Sequence, residues 1–254
     1  MPLNPVNYAT IGVLSWLGMN SITSASSIYG SYNGVPKKPV KPVSVILPSL
    51  TIDEYLIPFV MDNLLKNNVI EAYPDMFEFI LVTDPDFENV NCYYRYFDKI
   101  IKAPYGKLTA RDMAIKQASG DIIVAIDTDR YYPKNWLNEL LKPFNKNRIV
   151  ATTSYPVYSM VYEVMSNMFK HMYYAGKMDG GGSAFLKDAY YAVGGFNLNI
   201  DQFDWEAMIK EEEFDFMKKL QSIGEVDYVP YPSFAIARIS APYRIKYYKN
   251  NYGY

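Results

Sequence analysis

Two aspartates one residue apart, Asp127 and Asp129, close the apolar run Asp121-Ile-Ile-Val-Ala-Ile126. In an extended chain such residues project to the same side, so both carboxylates can face one ligand where the strand opens into a loop. Ligands in open α/β sheets bind at the carboxyl ends of the strands. An oxygen-rich acid pair in such a place suits Mn²⁺ or Mg²⁺ carrying a diphosphate. A second acidic group, Glu211-Glu212-Glu213 with Asp215, falls in the first half of a helix predicted over Ala207 to Ile223, where acids complement the helix dipole.

Composition narrows the chemistry. His171 is the one histidine and Cys92 the one cysteine in 254 residues. A multi-histidine zinc site, a thiolate cluster and an internal disulfide are therefore excluded, and carboxylates must supply any metal ligands. The net charge of −2 gives no basic footprint, so no nucleic-acid partner is expected. Half the residues are hydrophobic and a fifth charged, as in one large globular domain or two small ones.

From Val43 the pattern alternates strand and helix. Strands are predicted at Val43–Pro48, Phe77–Val82, Lys99–Ala103, Asp121–Ile126 and Arg148–Thr153. Helices are predicted over Glu54–Asn67 with Pro58 in the first turn, over Leu108–Ser119, and after Pro133 through Trp136 and Leu140. This spacing argues for an α/β fold with a mostly parallel sheet and helices on both faces. Residues 157–175 carry a Met-rich apolar stripe at helical spacing, read as core or as an adaptable wall for an apolar acceptor. Gly180-Gly181-Gly182 reads as a loop and Gly194-Gly195-Phe196 as a tight turn.

Outside this body, residues 1–36 contain no charged side chain. The apolar run Ile11–Met19 is too short to span a membrane, which takes roughly 20 residues, and no basic n-region marks a signal peptide. The expected division is an uncharged segment and Pro/Lys linker over 1–42, a main domain over 43–230, and a basic, Tyr-rich tail over 231–254. The tail suits peripheral contact with an anionic membrane or, equally, packing over the body. A cytoplasmic location follows as the expectation.

Four blocks in order carry a resemblance: Val45-Ile-Leu-Pro48; Ala110-Arg111-Asp112 with Gly120-Asp121 and Asp127-Thr128-Asp129; Gly194-Gly195-Phe196-Asn197; and Glu212-Glu213-Phe214-Asp215-Phe216 with Leu220 and Gly224. Together they resemble the family 2 glycosyltransferases of the GT-A, Rossmann-like fold, over about Val43 to Pro230. The resemblance implies metal-dependent, inverting transfer of a sugar from a nucleotide-diphosphate donor, most simply UDP, to a glycan, protein or lipid acceptor hydroxyl. It implies Asp129 as the main metal ligand and Asp127 on the metal or the ribose. Pro48 and Ser49 would line the nucleoside pocket. Asp84 would read the base edge, or else cap the turn before Pro85. Arg111 would meet base or diphosphate, or else pair with Asp127 or Asp121. Gly181 and Gly182 would belong to the loop facing donor and acceptor. Glu213 falls where the family has its general base, usually Asp, with Glu212 or Glu211 as the alternatives. The Gln-x-x-Arg-Trp motif of processive members is absent from the chain, so a single transfer is expected. A degenerate, non-catalytic domain and a sugar-1-phosphate nucleotidyltransferase are the competing readings.

Overall fold

The computed structural model describes residues 35–88, 90–154, 156–157, 177–229 and 231–235. The N-terminal 34 residues, the Met-rich stretch after Val157 with His171, and the tail from residue 236 lie outside the described residues.

In chain order the strands are β1 Val43–Ser49, β2 Phe77–Thr83, β3 Lys99–Lys102, β4 Ile122–Ile126, β5 Arg130–Tyr131, β6 Ile149–Thr153, β7 Pro156–Val157, β8 Gly182–Leu186, β9 Glu225–Tyr228 and β10 Ser233–Ala235. The helices are α1 Ile57–Leu64, α2 Asn68–Ala72, α3 Lys107–Gln117, α4 Trp136–Leu141, α5 Lys187–Ala192, α6 Trp205–Ile209 and α7 Phe216–Gln221. Seven strands form one sheet in the order β3-β2-β1-β4-β8-β6-β9. They pair in parallel except at β8, which runs antiparallel to both β4 and β6. A small second sheet, β5-β10-β7, lies at the site end. The strand order reverses between β1 and β4, and a ligand crevice is expected outside their carboxyl ends.

The β-branched runs of β1 and β4 are buried on both faces, as a covered parallel sheet requires. Val43, Val45, Leu47, Ile122, Val124 and Ile126 pack with α1 and α4, around Met61, Leu64 and Trp136. Ile46 and Ile123 point the other way, toward Leu108 and Ile115 of α3, Tyr190 of α5 and Phe216 and Leu220 of α7. No helix among the described residues is long and apolar enough to cross a membrane.

Several element boundaries differ from the sequence reading. Pro48 does not close β1 but lies within it opposite Val82, past the end of the β4 ladder at Ile46, where its missing N–H costs little. The helix predicted over Glu54–Asn67 begins as a 3₁₀ turn over Thr51–Leu56 and is α-helical over Ile57–Leu64, with Pro58 at its start. The helix predicted over Ala207–Ile223 is α6, a π-helical segment Lys210–Asp215 and α7 in succession. The expected boundary at residue 230 falls just before β10, which pairs with β5 and β7.

Gly194 and Gly195 both have positive φ (77° and 65°), so their turn needs residues free of a Cβ. At Gly195 a Cβ would also strike the Tyr190 ring. The turn delivers Phe196 into an aromatic cluster, where its ring centroid lies 4.6 Å from that of Phe216 and 5.3 Å from that of Tyr190. Phe216 is fully buried and also meets Phe185 at 5.3 Å. Phe216→Ala should therefore lower unfolding free energy by ~3–5 kcal/mol in denaturant titration; a loss below ~1 kcal/mol would show that the cluster does not hold α7 to the sheet.

Candidate active site

Chain reversal after β4 leaves Asp127 and Asp129 in the turn at the carboxyl edge of the sheet, both partly exposed. Lys107 and Arg111 stand one turn apart on α3 and so share a face. That face meets Asp127: Arg111 lies 2.9 Å and Lys107 3.2 Å from Asp127 Oδ1. Both cations also reach Glu212 of the π segment, Lys107 at 3.2 Å and Arg111 in direct contact. Two cations and two carboxylates thus close a ring that joins β4, α3 and the acidic helix. Gln202 steadies the start of α3, accepting from Thr109 N at 2.9 Å and donating to Thr109 Oγ1 at 2.7 Å.

Arg130, directly after the aspartate pair, makes a bidentate bond to Asp179 at 2.7 and 2.8 Å, donates to Ser233 Oγ of β10 at 2.9 Å, and lies 3.8 Å from Asp127. Burial by itself would raise the Asp127 carboxyl. Lys107, Arg111 and Arg130 outweigh it and hold the group well below the usual carboxylate range. Burial pushes the Lys107 ammonium down, with Arg111 adding to the effect and Asp127 opposing it.

Tyr132 ties two loops together. Its hydroxyl accepts from Asp127 N at 2.8 Å and donates to the Gly181 carbonyl at 2.7 Å. Burial raises its pKa well above the ordinary phenol value, which keeps this donor protonated. The three glycines of that loop each back onto a carboxylate. A Cβ on Gly180 would strike Glu212, on Gly181 Asp127, and on Gly182 Asp179. Backbone takes the room that side chains would need.

The π segment sends three consecutive, buried glutamates to three different partners. Glu211 accepts from Asn197 N at 2.7 Å and from Lys219 at 2.8 Å, clamping the Gly-Gly-Phe-Asn turn. Glu212 belongs to the charge ring. Glu213 pairs with Lys177, and burial raises its carboxyl despite that opposing charge. π turns are rare and frequent at functional sites.

At the other end of the crevice, Pro48 and Ser49 finish β1 beside β2. Asp84, at the end of β2, is 3 % exposed. One of its oxygens accepts from Thr51 N at 2.6 Å, the other from Thr51 Oγ1 at 2.6 Å and Asp86 N at 3.0 Å. It therefore fixes the loop after β1 and caps the turn containing Pro85. Among the described residues no group of three or more His, Cys, Asp or Glu side chains gathers as a metal site.

The crevice thus gathers Asp127, Glu212, Arg111 and the glycine loop, with Asp129 in the same turn as Asp127; Asp84, Pro48 and Ser49 line the β1–β2 end. Lys107, Arg130, Tyr132, Lys177 and Asp179 were not singled out in the sequence. Lys107 could have been found, lying four residues before Arg111. Asp179 and Lys177 carry no local pattern, because their partners are set by packing.

Three comparisons bear on this geometry. The profile of the family described as glycosyl transferase family 2 matches residues 44–201. No curated protein matches the chain in sequence. Among solved structures, the mannosyltransferase PcManGT from Pyrobaculum calidifontis, in complex with GDP-Man and Mn²⁺, is similar with a TM-score of 0.63 at 15 % identity, over 92 % of this chain and 69 % of its own. GalNAc-T7 with UDP, GalNAc and Mn²⁺ gives 0.62 at 15 % identity, over 96 % and 57 %. S. aureus TarS in complex with UDP-GlcNAc gives 0.56 at 18 % identity, over 76 % and 58 %. The chain spans under three fifths of the last two, and at these identities the likeness is one of fold.

The charge ring has a thermodynamic signature. Arg111→Met leaves buried carboxylates short of a partner and should cost ~3–5 kcal/mol in equilibrium unfolding. Arg111→Met combined with Glu212→Gln should lose less than the sum of the two single changes, by ~1–3 kcal/mol; strict additivity would mean that the two residues are not coupled. The Asp127 carboxyl is depressed in the folded chain, so its contribution is complete above the ordinary carboxylate range and is lost as pH falls toward the folded value.

Proposed function

The chain belongs to glycosyl transferase family 2 and has the GT-A fold, and from that premise we propose that it moves one sugar at a time from a nucleotide diphosphate, UDP by preference, to an acceptor hydroxyl with inversion. The observation that carries this reading is the charge ring. It gathers the Asp127 turn, the cationic face of α3 and the acidic helix at the switch-point crevice. Solved neighbours in complex with UDP, UDP-GlcNAc or GDP-Man lend support for a nucleotide-sugar donor.

The donor set suits Mn²⁺ or Mg²⁺ in a limited way. Asp127 is already balanced by its own cations, and Asp129, two residues on, is partly exposed in the same turn after β4. Ions of this kind take one or two carboxylates and complete their shell with phosphate oxygens and water. Asp129 is assigned as the ligand, with Asp127 beside it. When bound, the ion would offset negative charge building on the leaving diphosphate.

The chain's own residues supply the rest. The nucleoside lies along Pro48 and Ser49, with Asp84 at the base edge and Thr51 holding that carboxylate in place. Lys107 and Arg111 face the diphosphate, and the backbone of Gly181 and Gly182 leaves room for the sugar. Glu213 accepts the acceptor's proton as the acceptor oxygen bonds to the anomeric carbon. The anomeric C–O bond breaks and its electron pair leaves with the diphosphate. Glu213 is favoured over Glu212 as base because the Glu212 carboxylate answers two cations, Arg111 and Lys107, and Glu213 only Lys177 among the pairs described. Burial raises the Glu213 carboxyl above its ordinary value, which strengthens it as a base. We assign the reaction to the cytoplasm, with the basic tail on an anionic membrane face.

Thermal unfolding with UDP, GDP, CDP and dTDP, each with and without Mn²⁺, tests the donor site. A ligand at about 100 times its Kd adds ~2.7 kcal/mol, so UDP with Mn²⁺ should raise Tm by ~5–10 °C. Asp129→Ala should erase that shift. No shift with any nucleotide would sink the donor reading and favour a non-catalytic domain. Glu213→Gln should keep the shift and lose transfer; if Glu212→Gln abolishes transfer while Glu213→Gln does not, the base is Glu212.

A further inference from the structure

Lys177 is tied to the acidic helix in three ways. Its ammonium pairs with the Glu213 carboxylate and lies 5.7 Å above the Phe214 ring, and the next residue, Met178, donates its N–H to the Glu213 carbonyl at 2.7 Å. The lysine side chain is 19 % exposed and that of Glu213 6 %. The neighbouring charges have other engagements. Glu211 is bound to Lys219, Glu212 to Arg111 and Lys107, Asp179 to Arg130, and Asp215 lies 3.8 Å from Lys210.

We propose that Lys177 is the positioning residue of the general base, holding the Glu213 carboxylate in one orientation and in its charged form. The proposal rests on the assignment of Glu213 as that base. Burial favours the neutral acid, and the negative charge of Asp179 works in the same direction. Lys177 opposes both at contact distance, with Lys107 a more distant aid. A base must be ionised to take a proton, so the lysine sets the lower edge of the working pH range. A lysine also suits this place geometrically: it offers a point charge on a flexible stem, and the backbone of the next residue, Met178, is bonded to the helix that bears the base.

The sign of the effect follows directly. Without Lys177 the folded carboxyl rises further, so Glu213 is ionised only at a higher pH than in the wild type. The test is kcat against pH for the wild type, Lys177→Met and Lys177→Arg, with Glu213→Gln alongside and donor binding followed by the Mn²⁺-dependent thermal shift. In Lys177→Met the acid limb should move up by about one pH unit or more, so that kcat falls ~10-fold on that limb and recovers in alkali. Donor KM and the thermal shift should stay near wild type, and Lys177→Arg should restore the acid limb. An unmoved acid limb in Lys177→Met, or a loss of kcat equal at every pH, overturns the proposal. Full transfer by Glu213→Gln would instead remove the base assignment, and the proposal with it.

Discussion

Charge taken out of water must be answered by charge, and this site is organised around that constraint. Asp127, Glu212, Arg111 and Lys107 come from a strand end, a π turn and one helix face, and none could be buried there without the others. The ring therefore does the work of a joint. It locks α3 against the acidic helix and both against the carboxyl end of β4. The surrounding features read as its supports: Gln202 holds the first turn of α3, Tyr132 fixes the Asp127 backbone, and Arg130 ties the same turn to Asp179 and β10. Replacing a buried set of this kind with well-packed apolar side chains is often neutral or stabilising, but it would leave no field at the crevice.

The glycine loop shows the same economy of space. Three successive positions lie so close to three carboxylates that any side chain would displace one of them. Small residues here are less about conformational freedom than about distance: at Gly181 a Cβ would crowd the Arg130 guanidinium, 2.9 Å away, as well as the Asp127 carboxylate. Positive side chains and a bare main chain together crowd the carboxylates, which leaves a polar wall on the crevice.

The sheet was readable in the sequence because strands covered on both faces appear as short β-branched runs, and β1, β2, β3 and β4 fall close to their expected bounds. Asp127 and Asp129 were readable because they follow such a run directly. The π segment was not, since apolar periodicity averages over one turn and conceals an inserted residue. It is that inserted turn that points Glu211, Glu212 and Glu213 at separate partners. Arg130 stands next to the acid pair yet has its meaning from Asp179, 49 residues on. Contacts of that span leave no imprint on local pattern, and so Asp179 and Lys177 came from the structure.

Arg130 also reaches Ser233, 103 residues further along the chain. β10, which carries that serine, is the partner of both β5 and β7. The turn that bears the acid pair is thus completed by a strand made more than a hundred residues later. During synthesis the first four strands and their helices can collapse as soon as they emerge, whereas the second sheet has to wait for its central strand. A nascent chain would then hold a folded Rossmann-like half for some time before it held a finished crevice. The crevice is in this sense finished only once Ser233 has been made.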